Sequence, residues 1–181
     1  MKEATNQGGP LAGYKIVEIA GIGPGPLCSS LLADLGADVI KIEDTGKGDD
    51  LRNHKPPHIE CDSPYFLSLN RNKQSIAIDM AAPGGRDVIF ELLPEADVLV
   101  ENFRTGVMEK FGFGYESLKN RFPKLVYCSI SGYGREGSQK SRAAYDPIVQ
   151  AESGQMATNG SVESGPMRTG PVSYTHLRAH E

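Results

Sequence analysis

The chain is short of cysteine, of basic excess and of long apolar runs, and each shortage closes off a class of function. Three cysteines, Cys28, Cys61 and Cys128, are widely spaced and odd in number, which argues against a disulfide framework. No CxxC pair occurs, and His54, His58, His176 and His180 make no metal-ligand pattern with the cysteines. His54 and His58 stand four apart, but the prolines between them deny the pair a common helix face. No metal site is expected. Lysine and arginine number 19 against 23 aspartates and glutamates, a net charge of −4, unsuited to gripping nucleic-acid phosphates. No segment approaches the roughly 18 apolar residues of a membrane span. The N-terminus MKEATNQGGP has no apolar signal-peptide core. The expectation is a soluble, cytoplasmic protein that binds neither nucleic acid nor membrane.

What is present is a globular composition, 39% hydrophobic and 23% charged, with the length of one ordinary domain or part of a larger one. Short apolar runs alternate with helix-like segments. Tyr14 to Ala20 predicts a strand, Gly21 to Pro26 a turn, and Leu27 to Leu35 a helix with Gly36 as its stop. Asp38 to Glu43 is the next strand, which makes a βαβ unit. Residues 44–62 form a long polar loop rich in proline and glycine. Gln74 to Asp79, Asp97 to Val100 and Leu125 to Ile130 predict three further strands. A helix is expected over Pro83 to Leu93, and two short ones, broken at Gly112–Gly114, over Gly106 to Phe122. Strands alternating with helices imply an α/β fold with a Rossmann-like, mainly parallel sheet. Tyr145 to Ser153 suggests one more helix; residues 154–171 show little periodicity.

Gly21, Gly23 and Gly25 follow a strand and precede a helix, where a dinucleotide fingerprint would lie, and Glu43 would be its ribose-binding acid. Pro26 occupies the place of the third glycine, so NAD binding is the lesser alternative. Polar corners flank the strands at Asn70, Arg71, Asn72 and Lys73, at Asn102, Phe103 and Arg104, and at Ser131 to Gly134. Amide groups, an aromatic face and basic charge together suit a small molecule that carries phosphate. Taken singly, each of the first two corners is better explained as a solvated loop.

Four stretches of the chain, VEIAGIGPGPLCSSLLADLGADVIKIE (17–43), YFLSLNRNKQSIAIDM (65–80), ADVLVENFRTGVMEKFGFGYESL (96–118) and KLVYCSISGYG (124–134), resemble the N-terminal half of class III CoA-transferases. That superfamily includes formyl-CoA transferase, carnitine CoA-transferase and α-methylacyl-CoA racemase. The resemblance runs in order from residue 11 to residue 171. It implies coenzyme A or an acyl-CoA as substrate, no permanently bound cofactor, and a carboxylic acid as second substrate. The implied CoA contacts are Gly23 and Pro24 in the first turn, Asn70 to Lys73, Asn102, Phe103 and Arg104, and Lys110 facing phosphate. Asp44 stands where some transferases place a basic residue. Tyr133 and Tyr145 are expected at the substrate pocket.

In such transferases an aspartate takes the acyl group as a mixed anhydride. It follows a stretch like Arg168-Thr169-Gly170-Pro171-Val172 by three residues, and here that place holds Thr175, which cannot form the anhydride. The racemase branch instead uses a histidine before an aspartate; the matching run is Ala144-Tyr145-Asp146, and a tyrosine is a poor base at neutral pH. Residues 172–181, VSYTHLRAHE, resemble an in-frame translation of a sequencing adapter and are set apart from the fold. The expected organisation is a flexible segment over 1–10, a partial large domain over 11–171 and a non-native tail. Full-length relatives form interlocked homodimers, which a front fragment is not expected to make.

Overall fold

The computed structural model describes residues 8–54, 59 and 62–170. The expected flexible start up to residue 7, the tail with Thr175, and Cys61, His58, His176 and His180 lie outside the described residues. The chain divides into two units, one ending at Ile130 and the other starting at Ser131.

The first unit is built from β1 (Lys15–Ile19), α1 (Pro24–Asp34), β2 (Asp38–Glu43), α2 (Pro64–Asn70), β3 (Lys73–Ala77), α3 (Pro83–Leu92), β4 (Val98–Glu101), α4 (Val107–Phe111), α5 (Tyr115–Leu118) and β5 (Val126–Ser129). Its five strands are all parallel, in the order β3-β2-β1-β4-β5. Strand order therefore steps away from β1 in one direction up to β3, and resumes on its other side with β4. Such a reversal leaves a crevice at the carboxyl ends of the two central strands, which is where open α/β sheets bind ligands. The second unit contains α6 (Asp146–Glu152) and α7 (Gln155–Thr158).

Alternation along the central strands gives each sheet face its own character. One face carries Val17, Ile19, Ile42 and Leu99, packed with Ile78, Ile89, Leu93, Met108, Phe113 and Leu118 into the main core. The opposite face carries Ile16, Val39 and Val100, which meet Ala33 and Ala37. The same alternation puts Glu18, Lys41 and Glu43 on this second face, and all three are buried.

Helix α1 starts three residues before the apolar periodicity does. Pro24 supplies the fixed φ of a first helical position, where no N–H is needed. Gly23 enters the helix at φ 80°, a left-handed conformation that favours glycine. The helix stops as expected at Gly36, with φ 105° and its N–H donating to Ala33 O at 3.0 Å. Helix α2 is an element that hydrophobic periodicity does not show. Ser63 caps it by accepting from Phe66 N at 3.0 Å, and Pro64 begins it. The Ser-Pro pair is the signal for it in the sequence.

Two glycines of these helices predict opposite responses to alanine. A Cβ on Gly25 would stand 2.5 Å from Ala20 Cβ and 3.0 Å from Asn102 Cγ, so helix and strand would have to separate. Gly25→Ala is expected to lose about 1–3 kcal/mol in urea unfolding. Gly84 in α3 has open space where a methyl group would stand, with nothing within 4 Å, and Gly84→Ala is expected to gain about 0.5 kcal/mol.

Candidate functional site

A lysine on a buried strand must find counter-charge, because an unpaired ammonium out of water costs several kcal/mol. Lys41 finds it in two carboxylates: its Nζ lies 2.7 Å from Glu18 Oε1 and 2.8 Å from Asp49 Oδ2, and it also donates to Ala20 O at 2.7 Å. Glu18 has a second cation, with Lys73 Nζ 2.8 Å from Oε2, and accepts from Ser29 Oγ at 2.5 Å. Lys73 in turn donates to Pro26 O at 2.8 Å and to Asn70 Oδ1 at 3.0 Å. The two ammonium groups thus hold the carbonyls on either side of the Gly21–Gly25 turn.

The network continues to Glu43, which accepts from Arg52 Nε and Nη2, each at 2.7 Å, from Ser75 Oγ at 2.6 Å and from Asp49 N at 2.9 Å. Arg52 also reaches Asp62 at 2.8 Å and lies 3.8 Å above the Phe66 ring. Asn102, just past β4, completes the frame around the turn. Its Oδ1 accepts from Gly21 N at 3.1 Å, while Nδ2 donates to Gly21 O at 2.7 Å and Ile22 O at 3.1 Å. Ile22 is held at φ 45°, which is unfavourable for a β-branched residue.

Beside this frame a cleft of about 320 Å³ opens at the carboxyl ends of β1, β2 and β3, with Phe103 and Phe111 reaching it from beyond β4. Ile19, Ile42, Ile78, Met80, Phe103 and Phe111 make its apolar wall. Asp44, Asp50 and Asp79 are exposed lining residues, with Lys47 paired to Asp50 at 2.7 Å. The volume is in the range of small-molecule sites.

Of the residues expected to touch CoA, Phe103 lines this cleft, and Lys110 precedes the cleft residue Phe111 with its ammonium 5.8 Å from that ring's centroid. Arg104 is exposed in the loop between β4 and α4. The basic corner is placed differently from the others. It sits at the amino end of β3, where Arg71 pairs with Asp34, Asn72 donates to Asp34 at 2.8 Å and Asn70 donates to Phe66 O at 2.8 Å. The Lys73 ammonium is turned inward, its side chain 2% exposed, and burial pulls its pKa down against the opposing pull of Glu18. Gly23 and Pro24 open α1, but Pro24 and Pro26 remove two of the N–H groups with which a helix start would cradle a phosphate.

In the second unit Tyr133 donates to Glu152 at 2.7 Å under the Arg142 guanidinium, and Tyr145 is 61% exposed at the start of α6. The sequence reading misses Gln150, which is 1% exposed there. Its Nε2 donates to Asp146 Oδ2 at 2.7 Å and Gly170 O at 3.1 Å, and its Oε1 accepts from Thr169 N and Oγ1, both at 3.1 Å. Among the described residues no group of three or more His, Cys, Asp or Glu side chains could hold a metal, and no helix is long and apolar enough to cross a membrane.

Glu43 gives a pH prediction. Burial opposes its ionisation, but the hydrogen bonds from Arg52, Ser75 and Asp49 N outweigh burial and bring its pKa from 4.5 down to about 2. A depressed folded-state value means stability that is fully present above the unfolded pKa and lost as pH falls from there towards 2. Glu43→Gln should therefore flatten the acid limb of a Tm-against-pH curve over that window, by about 1–2 kcal/mol once solvent screening of Arg52 is allowed for. An acid limb identical to that of the unsubstituted protein would contradict the assignment.

The chain is 44% identical over 168 residues to the succinyl-CoA:glutarate CoA-transferase of Mus musculus, covering 93% of this chain and 38% of that protein. It is 42% identical over 169 residues to the acetyl-CoA:oxalate CoA-transferase of Acetobacter aceti, covering 93% and 43%. A CAIB/BAIF family protein from Brucella suis superposes with a TM-score of 0.86 at 43% identity, over 91% of this chain and 44% of that one. The chain thus spans about two fifths of the length of the curated relatives it matches. The profile of CoA-transferase family III matches residues 11–180, and the chain belongs to that family.

Proposed function

We propose that this chain supplies the coenzyme A-binding part of a CoA-transferase that moves CoA from an acyl-CoA to a short dicarboxylic acid. The cleft at the switch point carries the proposal, together with the family membership. Its apolar wall and the Phe103 face suit adenine, which stacks without needing charge. The acidic side chains of Asp44, Asp50 and Asp79 would repel phosphates, so the phosphates are assigned to the Arg104 and Lys110 side. The choice of a dicarboxylate rests on the relatives, which are named for glutarate and oxalate. The competing NAD reading loses two supports in this geometry. Glu43, its ribose acid, is engaged by Arg52 and Ser75, and the prolines of α1 leave few donors for a pyrophosphate.

Acyl transfer of the proposed kind proceeds by attack of a carboxylate on the thioester carbonyl, which breaks the C–S bond and releases CoA as thiolate. The thiolate then attacks the enzyme's own carbonyl in the anhydride, whose C–O bond breaks, so that the first acid leaves as carboxylate and the enzyme holds CoA as a thioester. The second acid's carboxylate attacks that thioester and expels the thiolate, which attacks the second acid's carbonyl and frees the enzyme carboxylate. At the place where the resemblance puts that carboxylate the chain has Thr175, whose hydroxyl forms an ester rather than an anhydride. The 181-residue chain is therefore expected to bind CoA without catalysing transfer.

Isothermal titration of this chain with CoA tests the binding. Phe103→Ala and Lys110→Ala are each expected to weaken affinity at least about fivefold, a loss comparable to one stacking or one charge-assisted contact. NADH should not compete. Absence of CoA binding, or affinity unchanged in both variants, would overturn the proposal.

A further inference from the structure

The second turn of α1 brings Cys28 against Cys128 of β5, although the two are a hundred residues apart in sequence. Both are reduced and half-buried, and they pack against the same cluster of Ile16, Ala33, Val39, Val100 and Ile130. Each thiol acts on the other's ionisation. Neither cysteine lines the cleft. We propose that Cys28 and Cys128 are an oxidisable dithiol that closes to a disulfide between α1 and β5 when a peroxide reaches it.

The pair divides into an attacking and a resolving thiol. The hydrogen bond from Cys128 brings the Cys28 thiol down to about 7, against burial and the nearby Glu18 charge and with help from Lys73. The same contact, with burial, pushes Cys128 up. Thiolate is the reactive form, so Cys28 attacks first. Its sulfur takes one oxygen of hydrogen peroxide, the O–O bond breaks, and the other oxygen leaves as water after protonation. The resulting Cys28 sulfenic acid is attacked by the Cys128 sulfur. The S–S bond forms, the S–O bond breaks, and the hydroxyl leaves as water with the Cys128 proton. Two thiols lose two electrons and peroxide gains them. Packing against one small cluster keeps the two side chains on the same face of the sheet, as a bridge between α1 and β5 requires.

The test uses the 181-residue chain, with hydrogen peroxide as the probe. Peptide mapping without reductant is expected to find a Cys28–Cys128 bridge within one chain. The bridge should raise the Tm by about 5 °C or more, because it closes a long loop in the unfolded chain, and dithiothreitol should reverse it. In Cys128→Ser, dimedone should trap sulfenic acid at Cys28; Cys28→Ser should give no dimedone adduct at Cys128. A bridge formed through Cys61 instead, dimedone labelling of Cys128 in preference to Cys28, or both thiols still alkylatable after peroxide treatment would each overturn the proposal.

Discussion

The burial of the Lys41 ammonium is the constraint on which the α1 side of the sheet depends. Its 1% exposure rules out hydration, so Glu18 and Asp49 must be in place around it. Glu18 is shared with Lys73, which balances two buried anions against two buried cations. That arrangement ties β1, β2, β3 and the loop after β2 together by charge, where the other face is joined by aliphatic packing. It is a costly way to hold a sheet, since well-packed apolar residues often do as well or better. Its product here is directional. Lys41 and Lys73 end on Ala20 O and Pro26 O, and so fix both ends of the glycine-proline turn.

This fixed turn shows how a sheet of dinucleotide-binding order can lack the groups that recognise a dinucleotide. Gly25 is needed for the close approach of α1 to Ala20, as a fingerprint glycine would be, yet the prolines on both sides of it withhold N–H donors. Glu43 likewise stands where a ribose acid would, but faces Arg52. The same backbone path is kept while the groups that would recognise a pyrophosphate and a ribose are absent or engaged. What remains open at the switch point is an apolar cleft with an acidic rim.

Much of the fold is legible in the sequence because parallel strands and their crossover helices leave local marks. Asp38–Glu43 is bounded to the residue, and Gly36 and the Gly112–Gly114 break stand where expected. The site is less legible, for a physical reason. Lys73 and its neighbours look like a surface phosphate corner because nothing local reveals that Glu18, fifty-five residues earlier, lies within reach of the amine. Lys41, set between isoleucines in DVIKIE, and Glu43 at its end are the visible clue that charges are buried on one face, although their partners cannot be inferred from spacing. Gln150 escapes notice for the same cause: an amide in a short helix is ordinary until the fold brings Thr169 and Gly170 to it.

The Asn102 clamp has a consequence for how the chain is assembled. The turn that it holds is complete in sequence by Gly25, yet Asn102 is encoded about eighty residues after Ile22. During synthesis β1, α1, β2 and β3 can therefore pair well before their central strand has its neighbour β4, and Ile22 has no amide to hold it in its left-handed backbone until then. Nascent chains shorter than this point expose one edge of β1 to whatever strand is nearby. The last part of the glycine-proline turn to become ordered is thus its side-chain lock, and the lock arrives with the strand that covers the free edge of β1.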